Sequence, residues 1–108
     1  MAQIESIEGV NHAAEIARVE GIDVIFVGPA DLQFDLKNRA ASAPGNFAHC
    51  LAIVAAAAKS AGKQAGILIR DLTELSRHGD LGFTHIAVDS DLSILRKAWQ
   101  QTLASVEK

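Results

Sequence analysis

The chain has 108 residues, 49% of them apolar, which suits one domain over residues 1–108 with a modest hydrophobic core. A net charge of −3 at pH 7, with interspersed charges and only four Phe and one Trp as aromatic residues, argues against a nucleic-acid partner. No segment approaches the roughly 18 to 20 unbroken apolar residues of a membrane span, and the N-terminus lacks a secretory signal. The lone Cys50 excludes an internal disulfide framework. We therefore expect a cytoplasmic protein without a membrane partner.

Two strand-like segments open the chain, and each precedes a polar or helical stretch. Ala2–Ile4 predicts the end of a strand, and residues 11–19 predict a helix that Asn11 caps and Gly21 closes. Residues 22–27 form a short apolar run that stops at Gly28 and Pro29, as a buried parallel strand does at its carboxyl end. We therefore expect Asp31 in the loop just past this strand, followed by an irregular segment through residue 43.

The third unit is a long helix followed by a strand. Asn46 is expected to cap the longest helix of the chain, which runs to about residue 61 and ends at Gly62. Its Ala-rich side, residues 55–58, permits close approach by another element. Gln64–Ile69 is strongly apolar and predicts the third strand.

The last part of the chain predicts a third helix, a fourth strand and a fourth helix. Asp71 or Thr73 is expected to start the third helix, with Leu72 and Leu75 facing inward. Residues 84–88 predict the fourth strand. Asp89, Ser90 and Asp91 then cap a helix with an apolar stripe of Leu92, Leu95, Trp99, Leu103 and Val106. Four successive strand–helix units predict an α/β fold with an all-parallel sheet and right-handed crossovers.

Two carboxylates follow neighbouring strands at the same end of this predicted sheet. Glu5 follows the first strand and Asp31 follows the second, at the edge where parallel α/β sheets carry ligand sites. Each residue alone has a structural interpretation, Glu5 as a helix cap and Asp31 as part of an Asx turn. Together they form the oxygen donor set that Mg²⁺ or Mn²⁺ prefers.

The turn at Gly28 and Pro29 is a second candidate feature. A sharp turn there can aim the backbone N–H groups of Ala30 and Asp31 at one point, which makes a small anion site without a basic side chain. Pro29 itself has no N–H to donate. The alternative interpretation is an ordinary Gly-Pro turn.

Other polar residues are weaker candidates. The four histidines lack a metal-ligand spacing and are expected to serve surface or packing roles; they are His12, His49, His78 and His85. Arg70 lies just past the third strand and could contact an anionic substrate. Cys50 is expected in the core, Asp23 inside a strand, and Asp89 and Asp91 in helix caps.

A resemblance to a known family rests on a series of short motifs. Taken together they resemble the metal-binding half of the HpcH/HpaI aldolases, and the first motifs, at the spacing of Glu5 to Asp31, are the most specific. The motifs are residues 3–6 (QIES), 9–11 (GVN), 15–17 (EIA), 21–23 (GID), 26–32 (FVGPADL), 61–63 (AGK), 65–68 (AGIL), 82–83 (GF) and 87–91 (AVDSD).

The resemblance implies a fold, an activity and a set of site residues. Members are (β/α)₈ barrels and carbon–carbon lyases that use Mg²⁺, Mn²⁺ or Co²⁺ to cleave 4-hydroxy-2-oxo acids to pyruvate and an aldehyde. It implies that Glu5 and Asp31 bind the metal, which stabilises an enolate, and that the amides of Ala30 and Asp31 hold the carboxylate of pyruvate or a similar 2-oxo acid.

The same resemblance implies that part of the family pattern is missing. The chain begins about halfway along a complete member and is short of the roughly 250 residues of a typical barrel. No segment matches the arginine and the histidine-aspartate pair that position substrate and move protons in the family, so no catalytic residue is assigned and enzyme activity stays open. The alternatives are a non-catalytic divalent-metal or carboxylate-binding module, or a structural fragment of a truncated or split aldolase.

Half a barrel also leaves one face of its sheet and both edge strands uncovered. We expect self-association, in which two copies close eight parallel strands as a homo-oligomer. A separate N-terminal half, or a flat open parallel sheet with helices on both faces, are the alternatives.

Overall fold

Four parallel strands form one sheet, in the order in which they occur along the chain. The computed structural model describes residues 1–106 and confirms the predicted α/β succession of strands and helices. The strands are β1 (Ala2–Ile4), β2 (Val24–Val27), β3 (Gln64–Ile69) and β4 (Phe83–Val88). The helices are α1 (Ile7–Asn11), α2 (Ala13–Ala17), α3 (Pro29–Asn38), α4 (Phe47–Ser60), α5 (Leu75–Leu81) and α6 (Asp91–Val106), with 3₁₀ turns at Ala40–Ser42 and Leu72–Glu74.

One face of the sheet is closed by helices. Helices α2 and α4 pack on each other and on the central strands, so the core lies between them and the sheet. Cys50 is fully buried there, as predicted, and burial raises the pKa of its thiol. Fully buried members of this core include Ile4, Ile25, Val27, Leu51, Val54, Ile67 and Ile69.

The opposite face of the sheet is open in the described part of the chain. Gln3, Phe26, Gly66 and His85 are aligned across the four strands on this face. The Phe26 ring lies over Gly66, where an added Cβ would come within 2.5 Å of the ring. Gln3 and His85 are exposed, and no charged side chain occurs in this row. Within the described residues, helices therefore cover only one face of the sheet.

The first helical segment differs from its prediction. The chain enters α1 directly after Ser6, whose Oγ accepts a hydrogen bond from the Gly9 amide at 3.0 Å. A break at His12 separates α1 from α2, so Asn11 ends a helix instead of capping one. Gly21 was predicted to close the helix, but α2 already ends at Ala17, and Gly21, with φ +85, lies beyond it. The early cap shortens the connection after β1.

The segment after β2 is a regular helix and not the irregular loop that was predicted. Gly28 is the N-cap of α3, and Pro29 occupies the first helical position, where its fixed φ suits a helix start. Asp31 consequently lies in the first turn of α3 and not in a loop. Gly28 and Pro29 do end β2, as predicted, but the same pair also starts α3.

Helix α4 follows its prediction at both ends. The Asn46 side chain accepts a hydrogen bond from the His49 amide at 2.9 Å, and Gly62, with φ +67, follows its last turn. Its 14 residues are fewer than the 16 of α6, so the expectation that it is the longest helix was wrong.

The segment after β3 was mispredicted in its packing. Asp71 does cap it, accepting a hydrogen bond from the Thr73 amide at 2.9 Å, but the first turn is 3₁₀. Leu72 and Leu75 are 64% and 45% exposed, so neither faces inward.

Asp23 precedes β2 and is exposed instead of lying inside the strand.

Residues 40–60 are long and apolar enough, by length and composition alone, to cross a membrane, and this property was not predicted from the sequence. The stretch is not one continuous helix, because a 3₁₀ turn and the Pro44–Gly45 break precede α4. Leu51 and Val54 on α4 are fully buried in the core. Apolar residues of this stretch therefore pack in the core, where α4 covers the sheet.

Helix α6 has no buried residue and is held near its start by one carboxylate. Asp89, with φ +59, accepts hydrogen bonds from Lys97 at 2.7 Å, Ser90 at 2.9 Å and Ser93 at 3.2 Å, and pairs with Arg70 at 3.4 Å. The hydrogen bond from the Lys97 ammonium is the main cause that lowers the pKa of Asp89 from 3.8 to about 2, and the two serines add to it. The ionised carboxylate therefore links α6 to Arg70, which lies just past the end of β3.

We expect Asp89→Asn to loosen α6 and to change the pH dependence of stability. Because the pKa of Asp89 is lowered on folding, its contribution is complete above pH 3.8 and is lost as pH falls toward about 2. The melting temperature of the variant should lie below that of the wild type at neutral pH, and the difference should narrow across that acid range. Circular dichroism melts measure this, with the exposed Asp91→Asn as the matched control. An equal pH dependence of both variants would contradict the prediction.

Candidate functional site

Glu5 lies against the turn between β2 and α3. The Gly28 amide donates to the Ile4 carbonyl at 3.0 Å, which joins the carboxyl ends of β1 and β2. An added Cβ on Gly28 would lie 3.2 Å from Glu5 Oε2 and 3.1 Å from Gln3 Nε2. The glycine therefore lets the Glu5 carboxylate rest close to the backbone of the turn.

A second hydrogen bond ties the Glu5 segment to α3. The Ile7 amide, two residues after Glu5, donates to Asp35 Oδ2 at 2.7 Å. Asp35 lies one helical turn beyond Asp31 on α3, and its other oxygen pairs with Arg39 at 3.3 Å. The two candidate metal ligands thus stand on segments that are hydrogen-bonded to each other, and both side chains are exposed. This role of Asp35 was not predicted from the sequence.

The first turn of α3 presents free amides. Its first intrahelical hydrogen bond runs from the Leu32 amide to the Gly28 carbonyl at 3.0 Å, so the N–H groups of Ala30 and Asp31 precede the helical ladder. Pro29 has no N–H. Two amides at the positive end of a ten-residue helix are suited to a carboxylate or another small anion.

The donor set at this turn is two carboxylates. No group of three or more His, Cys, Asp or Glu side chains able to hold a metal occurs within residues 1–106. A cation held by Glu5 and Asp31 would need water or substrate as its other ligands, which is how Mg²⁺ is commonly bound. The exposed carboxylates therefore fit a hydrated divalent cation. The free amides beside them could bind the same anionic ligand as that cation.

The other candidate side chains have their hydrogen-bond and ion-pair partners outside this turn. Arg70 pairs with Asp89, and His12 bonds its own helix through the Glu8 carbonyl at 2.9 Å. His78 is buried beside Glu74, at 3.4 Å, in an arrangement that the sequence analysis missed. The spacing of four residues on a helix could have revealed this pair.

Comparisons with known proteins agree with the motif pattern. Residues 1–98 match the family model described as HpcH/HpaI aldolase/citrate lyase. The hydroxypyruvate/pyruvate aldolase of Delftia acidovorans is 42% identical over 98 residues, which are 91% of this chain and 36% of that protein. The 5-keto-4-deoxy-D-glucarate aldolase of Klebsiella pneumoniae is 35% identical over 108 residues, which are 100% of this chain and 42% of that protein.

Solved structures give the same result for the fold. An HpcH/HpaI aldolase/citrate lyase family protein from Burkholderia cenocepacia superposes with a TM-score of 0.83 at 35% identity, covering 98% of this chain and 41% of its own. The HpcH/HpaI aldolase from Desulfitobacterium hafniense gives a TM-score of 0.86 at 24% identity, covering 100% and 42%, and supports the fold alone. The chain thus spans less than half the length of these relatives.

Proposed function

Because the chain belongs to the HpcH/HpaI aldolase/citrate lyase family, we propose that it is the metal- and pyruvate-binding part of an aldolase acting on 4-hydroxy-2-oxo acids. The observation that carries the proposal is the position of the Glu5 carboxylate, which a Cβ added to Gly28 would meet at 3.2 Å, beside the free amides of α3. The relatives are named for hydroxypyruvate and pyruvate and for a keto sugar acid, which supports a 2-oxo acid as ligand.

Each residue of the turn has a role in this proposal. Glu5 and Asp31 hold a divalent cation, Mg²⁺, Mn²⁺ or Co²⁺, through their carboxylate oxygens. The amides of Ala30 and Asp31 would donate to the carboxylate of the 2-oxo acid and so fix its orientation at the turn. The bound cation supplies Lewis-acid stabilisation of the negative charge that develops on the keto oxygen. Gly28 keeps the Glu5 carboxylate close to the turn.

We expect Mn²⁺ or Mg²⁺ to raise the melting temperature of the wild-type chain, and Asp31→Asn to abolish the shift. A ligand at about 100 times its Kd stabilises a fold by roughly 2.7 kcal/mol. For a chain of this size, each kcal/mol corresponds to a shift of about 4 °C or more. Thermal unfolding with and without metal measures it. A shift that survives in Asp31→Asn would place the metal elsewhere.

A glycine substitution provides a second variant for the same experiment. Gly28→Ala crowds Glu5 Oε2 and Gln3 Nε2, so it should weaken metal binding while both carboxylates remain. Gly79→Ala is the matched control, since a Cβ there meets nothing within 4 Å, and Ala is favoured in helix α5. An equal metal response in both variants would show that Glu5 is not held at this turn.

The same measurements separate the alternatives. Metal and pyruvate binding without turnover would indicate a non-catalytic binding module. A folded chain that binds neither metal nor pyruvate would indicate a structural fragment of a longer aldolase.

A further inference from the structure

Glu5 is held on both sides by hydrogen bonds to the segment that follows β2. Just before it, the Ile4 carbonyl accepts from the Gly28 amide at 3.0 Å. Two residues after it, the Ile7 amide donates to Asp35 Oδ2 at 2.7 Å. The first bond joins two backbone groups, whereas the second depends on a side chain. A substitution of Asp35 can therefore release one side of the Glu5 segment and leave the other side bonded.

Asp31 lies between the same two partners on the facing segment. It follows Gly28 by three residues and precedes Asp35 by four, and helix α3 fixes that spacing. The two hydrogen bonds thus close a ring that contains both candidate metal ligands. The position of Glu5 relative to Asp31 depends on these bonds.

Asp35 is placed to hold the backbone and not to bind the metal itself. One helical turn separates it from Asp31, which is the spacing of two side chains on the same helix face. Both of its oxygens are engaged, however, since Oδ2 accepts from Ile7 and Oδ1 pairs with Arg39 Nε at 3.3 Å. Its side chain is only 20% exposed. Asp35 therefore acts on a bound cation only through the segment that carries Glu5.

The Ile7 amide has no ready substitute for this carboxylate. Ile7 is the first residue of α1, so its amide lacks an acceptor within the helix. The residue is 1% exposed, and water cannot reach the amide unless the chain moves. An unpaired buried N–H is costly. Removal of the Asp35 oxygen should therefore displace the start of α1, and with it the neighbouring Glu5.

We propose that Asp35 is a positioning residue for the metal site, which fixes the Glu5 carboxylate relative to Asp31 by holding the Ile7 amide. This role rests on the proposed function, because Glu5 and Asp31 are the metal ligands there. Groups that orient metal ligands typically contribute about 10- to 100-fold in metal affinity. Asp35 should therefore set how tightly the chain binds its divalent cation.

The test compares the Mn²⁺ affinity of the wild type with that of three Asp35 variants, measured by electron paramagnetic resonance of free Mn²⁺. Asp35→Ala removes the acceptor and should raise the Kd about tenfold or more. Asp35→Asn keeps an acceptor oxygen without the charge and should bind nearly as well as the wild type. Asp35→Glu keeps the charge but shifts the oxygens by one methylene, so it should bind several-fold more weakly, even if Asp35→Ala fails to fold.

Asn46→Ala is the matched control for a general loss of stability. It also removes a side-chain acceptor from an amide at a helix start, that of His49 on α4, and should leave the Mn²⁺ affinity unchanged. A second readout needs no metal, namely hydrogen exchange of the Ile7 amide relative to that of the buried Ile67, followed by ¹⁵N NMR. This ratio should rise in Asp35→Ala and stay at the wild-type value in Asp35→Asn and Asn46→Ala.

The outcomes separate this role from the proposed function. Equal Mn²⁺ affinity in the wild type and Asp35→Ala would overturn the role of Asp35 alone. A weakened Asp35→Asn beside an unaltered Asp35→Glu would also overturn it, because charge and not position would then be the cause. A wild type that binds no Mn²⁺, or binds it no better than Asp31→Asn does, would overturn the proposed function and this role together.

Discussion

The chain by itself should release pyruvate from a 4-hydroxy-2-oxo acid at a rate close to the uncatalysed background, even with saturating Mg²⁺ or Mn²⁺. Cleavage requires charge stabilisation and proton transfer, and loss of one positioned acid–base group typically costs about 10²–10⁴-fold. The turn offers Glu5, Asp31 and backbone amides, and the other side chain close to Gly28 is the uncharged Gln3. The resemblance implies that a complete member also has an arginine and a histidine-aspartate pair, and no segment of this chain matches those motifs.

The measurement is metal-dependent pyruvate release, assayed beside Glu5→Gln. Turnover well above background that disappears in Glu5→Gln would show that this chain carries its own base. Arg70 and His49 would then be the first residues to test. Pyruvate or oxalate binding in the presence of metal, without turnover, is the expected companion result, because amides and carboxylates suffice to bind but not to move a proton.

The purified chain should have at least twice the monomer mass in solution. The row of Gln3, Phe26, Gly66 and His85 leaves one sheet face open, and β1 and β4 are both edge strands. Two copies related by a two-fold axis along the barrel would pair β4 of each with β1 of the other, in parallel. Light scattering at micromolar concentration gives the mass, and a monomer would contradict the prediction.

Point variants distinguish this closure from association through α6. His85→Asp places a charge on the open face and should give a folded monomer, because His85 is exposed in the single chain. His12→Asp, at an exposed position outside the sheet, is the matched control. Trp99 and Leu103 on α6 are 68% and 64% exposed, so Trp99→Lys would dissociate an assembly held by that helix instead.

Local signals account for what the sequence predicted correctly. Gln64–Ile69 was predicted with its observed bounds because an apolar run between Gly62 and a polar loop is a short-range pattern. Asn46 was identified because a cap acts on an amide three residues away. The helix after Gly28 was missed because the same Gly-Pro pair can stop a strand and start a helix.

By itself the sequence determined the order of the strand–helix units and the family, and it predicted Glu5 and Asp31 as candidate metal ligands, since these depend on neighbouring residues and on motif spacing. Only the tertiary structure decided that Glu5 rests against Gly28, that Asp35 ties α3 to the Ile7 amide, and that Asp89 holds Arg70. These contacts join residues 19 to 28 positions apart in the chain. Their proximity follows from the register of parallel strands, which is set by the burial of the whole sheet face and by no single residue.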